Sequence, residues 1–170
     1  MLHPPPFPAR AIREATREGR TYRFRTTTAD GVTERTAEFR DVTEDGVRVI
    51  GQNFGPNGEP LGDPRSAPVT WADLESHATY QADHTRVETT EVTVPAGTFS
   101  AWLYIVEEDT SEGLKVTRAW FAPELPGAPV KHVVELDGQL RSTMELVTHE
   151  NPESAPSTED PSPGEEDSDA

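Results

Sequence analysis

The chain has 170 residues, 31 of them acidic against 15 basic, no cysteine, and a formal net charge of −16. That length suits one domain with tails, and the missing thiols exclude a disulfide framework, a cysteine nucleophile and any thiolate metal site. The acidity argues against nucleic acid as a partner, because phosphate binding needs positive surface.

The charge is uneven along the chain. Residues 1–25 hold six arginines against Glu14 and Glu18, while residues 150–170 hold eight carboxylates and no base. Residues 1–8 carry four prolines and read as a polyproline II lead-in. They lack the basic and apolar regions of a signal peptide, and no apolar run is long enough to span a membrane. The default expectation is a cytoplasmic protein with no membrane span.

Pro8 to Gly19 reads as a helix, with Ala11, Ile12 and Ala15 on one side at about 100° per residue. Arg10, Arg13 and Arg17 fall on the other side at i, i+3 and i+7. They form a solvated basic face or an interaction face, and an acidic tail folding back onto them is one candidate contact. Period-2 patterns follow. Tyr22 and Phe24, Ala37 and Phe39, then Val47 and Val49 alternate with polar residues and predict three antiparallel strands.

Gly51 to Pro68 is rich in Gly, Pro and Asn and reads as a long loop. Thr70 then caps a short helix over 70–78, with Asp73 at the reciprocal position of a capping box. Trp71, Leu74 and Ala78 share a face of that helix, which is expected to plug the concave side of a sheet.

Arg86 to Val94 predicts a strand, and Pro95-Ala96-Gly97 a tight hairpin turn. The next strand is apolar on both faces: Phe99, Ala101, Leu103 and Ile105 on one, Trp102, Tyr104 and Val106 on the other. Such a strand is central and covered on both sides. Asp109–Gly113 turns the chain, a strand through Trp120 follows, and Asp137-Gly138 separates two last alternating runs. The expected fold is mainly β (α+β): a curved antiparallel sheet or half-barrel of about eight strands, with an N-terminal helix and a short helix in its concavity. Its expected limits are 9–148, with 149–170 a disordered acidic tail that has too little apolar surface to offset ordering.

The residues Val94-Pro-Ala-Gly-Thr-Phe99, Ala119-Trp-Phe-Ala-Pro123 and Pro129-Val-Lys131 resemble a group of uncharacterised bacterial proteins. That group looks related to the lipoprotein-carrier-like half-barrel. The resemblance covers about residues 86–147 and implies an antiparallel sheet wrapped around helices. Characterised half-barrels of this kind bind lipid or acyl chains, but the group has no settled activity or catalytic residues to carry over.

No catalytic constellation is visible. His77 and Asp73 have metal-ligand spacing on a helix, but the five histidines read better as surface or helix-end residues. Glu107-Glu108 and Glu44-Asp45 sit in turns, where carboxylates are solvated. There is no G-x-S-x-G elbow, phosphate loop or flavin motif, so no enzyme activity, metal or cofactor is expected. Two functions stay open. One is an apolar small molecule or acyl chain held in a pocket of Trp102, Tyr104, Trp120 and Trp71. The other is a protein-interaction or accessory role for the acidic tail and the 51–68 loop.

Overall fold

The computed structural model describes residues 1–152. Its strands are β1 (Leu2–His3), β2 (Thr21–Thr28), β3 (Gly31–Arg40), β4 (Gly46–Phe54), β5 (Pro60–Thr70), β6 (Tyr80–Gln81), β7 (Thr85–Val94), β8 (Gly97–Thr110), β9 (Gly113–Phe121), β10 (Lys131–Leu136) and β11 (Gln139–Glu150). Two helices, α1 (Ala9–Ala15) and α2 (Trp71–Ser76), and one 3-10 turn (Ala82–His84) complete the described elements.

Nine strands form one antiparallel sheet in the order β5-β4-β3-β2-β11-β10-β9-β8-β7. Each half of the chain makes a meander, and β11 returns beside β2 to join them. The sheet is curved and open. At its curled end the β7–β8 hairpin runs past Phe121, the last residue of β9 in register, and Ala96 at its tip donates its N–H to the Leu146 carbonyl at 3.1 Å.

The turn chemistry holds. Val94 pairs with Gly97 across Pro95-Ala96, and Leu136 pairs with Gln139 across Asp137-Gly138. Asp137 and Gly138 both have positive φ, 53° and 81°, which makes the tight turn that matches strand twist. The capping box forms: the Thr70 hydroxyl accepts from the Asp73 N–H at 3.0 Å, and the Asp73 carboxylate accepts from the Thr70 N–H at 3.1 Å.

Three expectations change. The 51–68 loop is not a loop: residues to Phe54 belong to β4, and residues from Pro60 form β5. Pro60, Pro64 and Pro68 hid this strand, but β5 is a sheet edge, where a missing N–H costs no ladder bond. The main sheet therefore has nine strands where about eight were expected. The first helix ends at Ala15, because Thr16 is already extended (φ −97°, ψ 113°), which leaves Arg17 outside it.

The 1–8 lead-in also belongs to the domain. β1 pairs with β6, and Phe7 is buried in the main apolar cluster. At the other end β11 runs to Glu150, two residues past the expected limit. The tail expected from 149 thus begins inside the fold, and residues 153–170 lie outside the described residues.

Candidate functional site

Residues opposite each other in an antiparallel pair share a face of the sheet. Trp102 is opposite Phe121, and Tyr104 opposite Ala119. On β10 and β11 the same row continues through His132 and Met144. This inner face, with Phe24, Tyr22 and Phe39 from the first meander, carries the core.

The helices and the lead-in lie in that core. Ile12 of α1 and Trp71 of α2 are buried in the same apolar cluster as Phe39, Val47, Tyr104 and Phe121. The Trp71 indole N–H donates to the Thr43 carbonyl at 2.9 Å, and the Ala9 N–H donates to a Glu75 carboxylate oxygen at 2.8 Å. These two bonds tie α2 to the β3–β4 connection and α1 to α2.

Phe7 is the central plug. Its ring lies 5.5 Å from Trp102 and 6.2 Å from Phe121. Tyr104 meets Phe121 edge-on at 5.3 Å, Tyr80 at 6.0 Å and His3 edge-on at 5.4 Å. Edge-to-face pairs of this kind add stability beyond the area they bury. Burial raises the pKa of the Tyr104 and Tyr80 phenols, so both stay neutral across the physiological range.

The expected aromatic pocket is therefore only partly assembled. The structure brings Trp102, Tyr104 and Trp71 into one apolar cluster, but as packed core. Trp120 also packs against the cluster, half-buried, but it does not share their face of the sheet. It is opposite Leu103 and Lys131, hence on the outer face, where the Lys131 ammonium sits 5.5 Å from its ring. A one-residue step along a strand changes the face, so Trp120 and Phe121 part company. Two depressions stand out among the described residues, of about 420 Å³ beside Asp41, Arg48 and Asp73 and about 220 Å³ beside His84 and Glu107. Neither is lined by Trp102 or Tyr104.

The basic face also divides. Arg10 pairs with Glu14 at 3.5 Å with both side chains largely exposed, a weak surface contact. Arg13 is half-buried on the last turn of α1. Arg17 binds the start of the acidic segment instead: its N–H donates to the Asn151 side-chain oxygen at 3.1 Å, and its guanidinium to the Pro152 carbonyl at 3.5 Å. Asn151 in turn donates to the Ala15 carbonyl at 2.6 Å, capping the helix end.

Sequence reasoning missed a buried polar cluster beside this anchor. Arg20 is 1% exposed. Its Nε–H donates to Nε2 of His149 at 2.9 Å, and a terminal N–H donates to the Thr16 hydroxyl at 3.1 Å. The guanidinium lies 4.8 Å from the centre of the Tyr22 ring. Among the described residues it has no carboxylate partner. Burial and then the Arg20 charge push the His149 pKa down to about 4. The Tyr22 hydroxyl is buried beside the Ala128 backbone, and burial raises its pKa against the smaller opposing effects of the Arg20 charge and the Ala128 backbone. No sequence period marks this cluster, because Arg20 and His149 are 129 residues apart.

His132 lies on the inner face, and burial followed by the Lys115 charge lowers its pKa. His77 ends α2, and Nδ1–H of His84 donates to the Glu107 carbonyl at 2.8 Å. No group of three or more metal-ligating residues forms among the described residues. No described helix is long and apolar enough to cross a membrane.

No protein-family model matches the chain, and no curated protein does. Solved structures share the fold. A candidate lipoprotein from Parabacteroides distasonis is 13% identical with a TM-score of 0.52, over 85% of this chain and 97% of the other. MucB is 12% identical with a TM-score of 0.53, over 85% of this chain and 58% of MucB. A candidate exported protein from Bacteroides fragilis with a YmcC-like fold is 14% identical with a TM-score of 0.49, over 85% and 98%. At such identities the likeness is one of fold alone.

Proposed function

We propose that the chain is a non-enzymatic binding module that engages a protein partner through its surface. The observation behind this reading is the filling of the inner face. A small-molecule site is an open apolar concavity, and here Phe7, Ile12 and Trp71 occupy that space from within the chain. The competing reading, an acyl chain or other apolar ligand on Trp102 and Tyr104, requires Phe7 to leave a packed aromatic cluster.

The contact surfaces we favour are the exposed tip of the β4–β5 hairpin, residues 56–59, and the acidic segment that follows Pro152. Seven of the chain's carboxylates lie in that segment, so its partner is a basic surface reached by salt-sensitive attraction. The motif V-P-A-G-T-F fits this picture as a structural hairpin. We also favour a compartment outside the cytoplasm over the cytoplasmic default, on the description of the Parabacteroides neighbour as a candidate lipoprotein; fractionation of host cells decides this.

The test uses the full chain and a chain ending at Pro152, each purified from its own host and examined by native mass spectrometry and salt-graded pull-down. The expected result is one recurring protein partner that the shorter chain holds less well, with no small-molecule adduct. An apolar molecule bound in stoichiometric amount, released only on unfolding, would overturn the reading.

A further inference from the structure

The open sheet ends in two edges of opposite character. β5 carries Pro60, Pro64 and Pro68 and a positive-φ Gly62 (φ 76°). Prolines at an edge remove the donors that a foreign strand would pair with. β7, the other edge, is ten residues long, has no proline or glycine, and reads Thr-Arg-Val-Glu-Thr-Thr-Glu-Val-Thr-Val. Threonine and valine favour pleated strands. Residues 86–91 are exposed, and Val87 is an exposed apolar residue (39%).

We propose that β7 pairs with β7 of a second copy of this chain, antiparallel along residues 85–89, with Val87 against Val87 on a two-fold axis. The sheet then continues from one copy into the other, and the interface is self-complementary as a two-fold requires. The axis stands perpendicular to the sheet, so opposed residues share a face and the register must centre on a residue. The charges select which one.

Centred on Val87, Arg86 of each copy lies opposite Glu88 of the other, twice. Centred on Glu88 or Arg86, that residue meets its own copy, and like charges directly opposite destabilise. Centred on Thr89, Arg86 faces Val92, which is buried at the curled end. Within one chain Arg86 pairs with Glu88 at 3.4 Å and with Glu107 at 4.0 Å, and the Arg86 and Glu88 side chains are 60% and 53% exposed, so these are solvated contacts that can re-form across the axis. The pairing stops at Thr85, because Ala82–His84 turns away as a 3-10 helix. The same charges disfavour unmatched strands, which gives the edge selectivity for itself. Five residues a side make a small interface, so the dimer is weak and concentration-dependent. The pairing is independent of any partner bound elsewhere on the surface.

The chain has no cysteine, so Val87→Cys places one thiol per copy on the axis. Opposed Cα atoms in an antiparallel pair are about 4.5–5.5 Å apart, within disulfide reach. Oxidised V87C is expected to run as a covalent dimer, while T90C, whose two copies would sit about 20 Å apart along the strands, does not. In sedimentation without oxidant, E88R is expected to lose the wild-type self-association and R86E/E88R to regain it. Equal cross-linking of V87C and T90C, self-association of E88R as strong as wild type, or a wild-type chain that stays monomeric at the highest soluble concentration would overturn the proposal.

Discussion

The Nε–H of Arg20 donates to Nε2 of His149 at 2.9 Å, so a nearly fully buried guanidinium is held by an imidazole that must stay neutral. A protonated His149 has no acceptor to offer and repels the arginine. The contact fixes the last residues of β11 against the end of α1, where Asn151 and Arg17 anchor the start of the acidic segment.

This pair makes stability pH-dependent. An unfolded histidine binds its proton near 6.5, whereas folded His149 binds one only near 4. Between those values the unfolded chain holds more protons, so stability falls as the pH drops from about 6.5 toward 4. His132, also lowered by burial, adds in the same direction. Glu18 and Glu34 are lowered by backbone and arginine hydrogen bonds respectively and lose their contribution only at more acid pH. Urea midpoints at pH 7.5 and 5.0 should fall for the wild type and fall less for His149→Gln. Equal falls would remove His149 from the account.

Phe7 is predicted to be a core residue despite its place in a proline-rich lead-in. Its truncation removes a ring packed on Trp102 and Phe121. Phe7→Ala should cost about 3–5 kcal/mol, the usual range for a buried phenylalanine. Denaturant midpoints measure this, and tryptophan fluorescence reports the loss beside Trp102. A stable variant with an unchanged spectrum would return residues 1–8 to the status of a tail.

Gly46 is predicted to resist any side chain. A Cβ there would stand 2.3 Å from the Val69 carbonyl oxygen, so β4 and β5 could not approach in register. Gly46→Ala should destabilise by about 1–3 kcal/mol, as overpacking does. Gly51 on the same strand has only the Thr36 oxygen near its Cβ position, at an ordinary 3.8 Å. Gly51→Ala is the control, expected to unfold close to the wild-type midpoint in the same thermal scan.

The capping box at α2 gives a smaller effect. Thr70→Ala removes the oxygen that accepts from the Asp73 N–H and should cost about 1 kcal/mol. Thr70→Ser keeps an acceptor and should recover most of it. Loss of the cap loosens Trp71, whose indole anchors to Thr43, so calorimetry of the two variants should rank them in that order.

Local chemistry made much of the fold legible. Alternation in β2, β3 and β9, the two-faced apolar run of β8, the turns at Pro95-Ala96 and Asp137-Gly138, and the Thr70–Asp73 cap depend on residues within a few positions of one another. The first helix was overrun because apolar spacing does not register where the chain turns extended, and Gly19, the expected stop, comes four residues late with φ 87°. β5 was missed because a proline-rich stretch reads as loop until its position at an edge is known. Of the candidate site, the aromatics could be identified, but not which face each of them occupies.

The sequence by itself determined the class of this protein: a chain without thiols, built from alternating strands and tight turns, with a basic start and an acidic end. The tertiary structure decided everything that depends on register and on the pairing of β11 with β2. That pairing brings His149 to Arg20 across 129 residues. Register separates Trp120 from Trp102 by one residue step, and folding of the lead-in sets Phe7 where a ligand had been expected. The physical reason is range: dihedral preferences and hydrophobic period act over a few residues, whereas face, burial and charge partner are fixed only when distant strands meet.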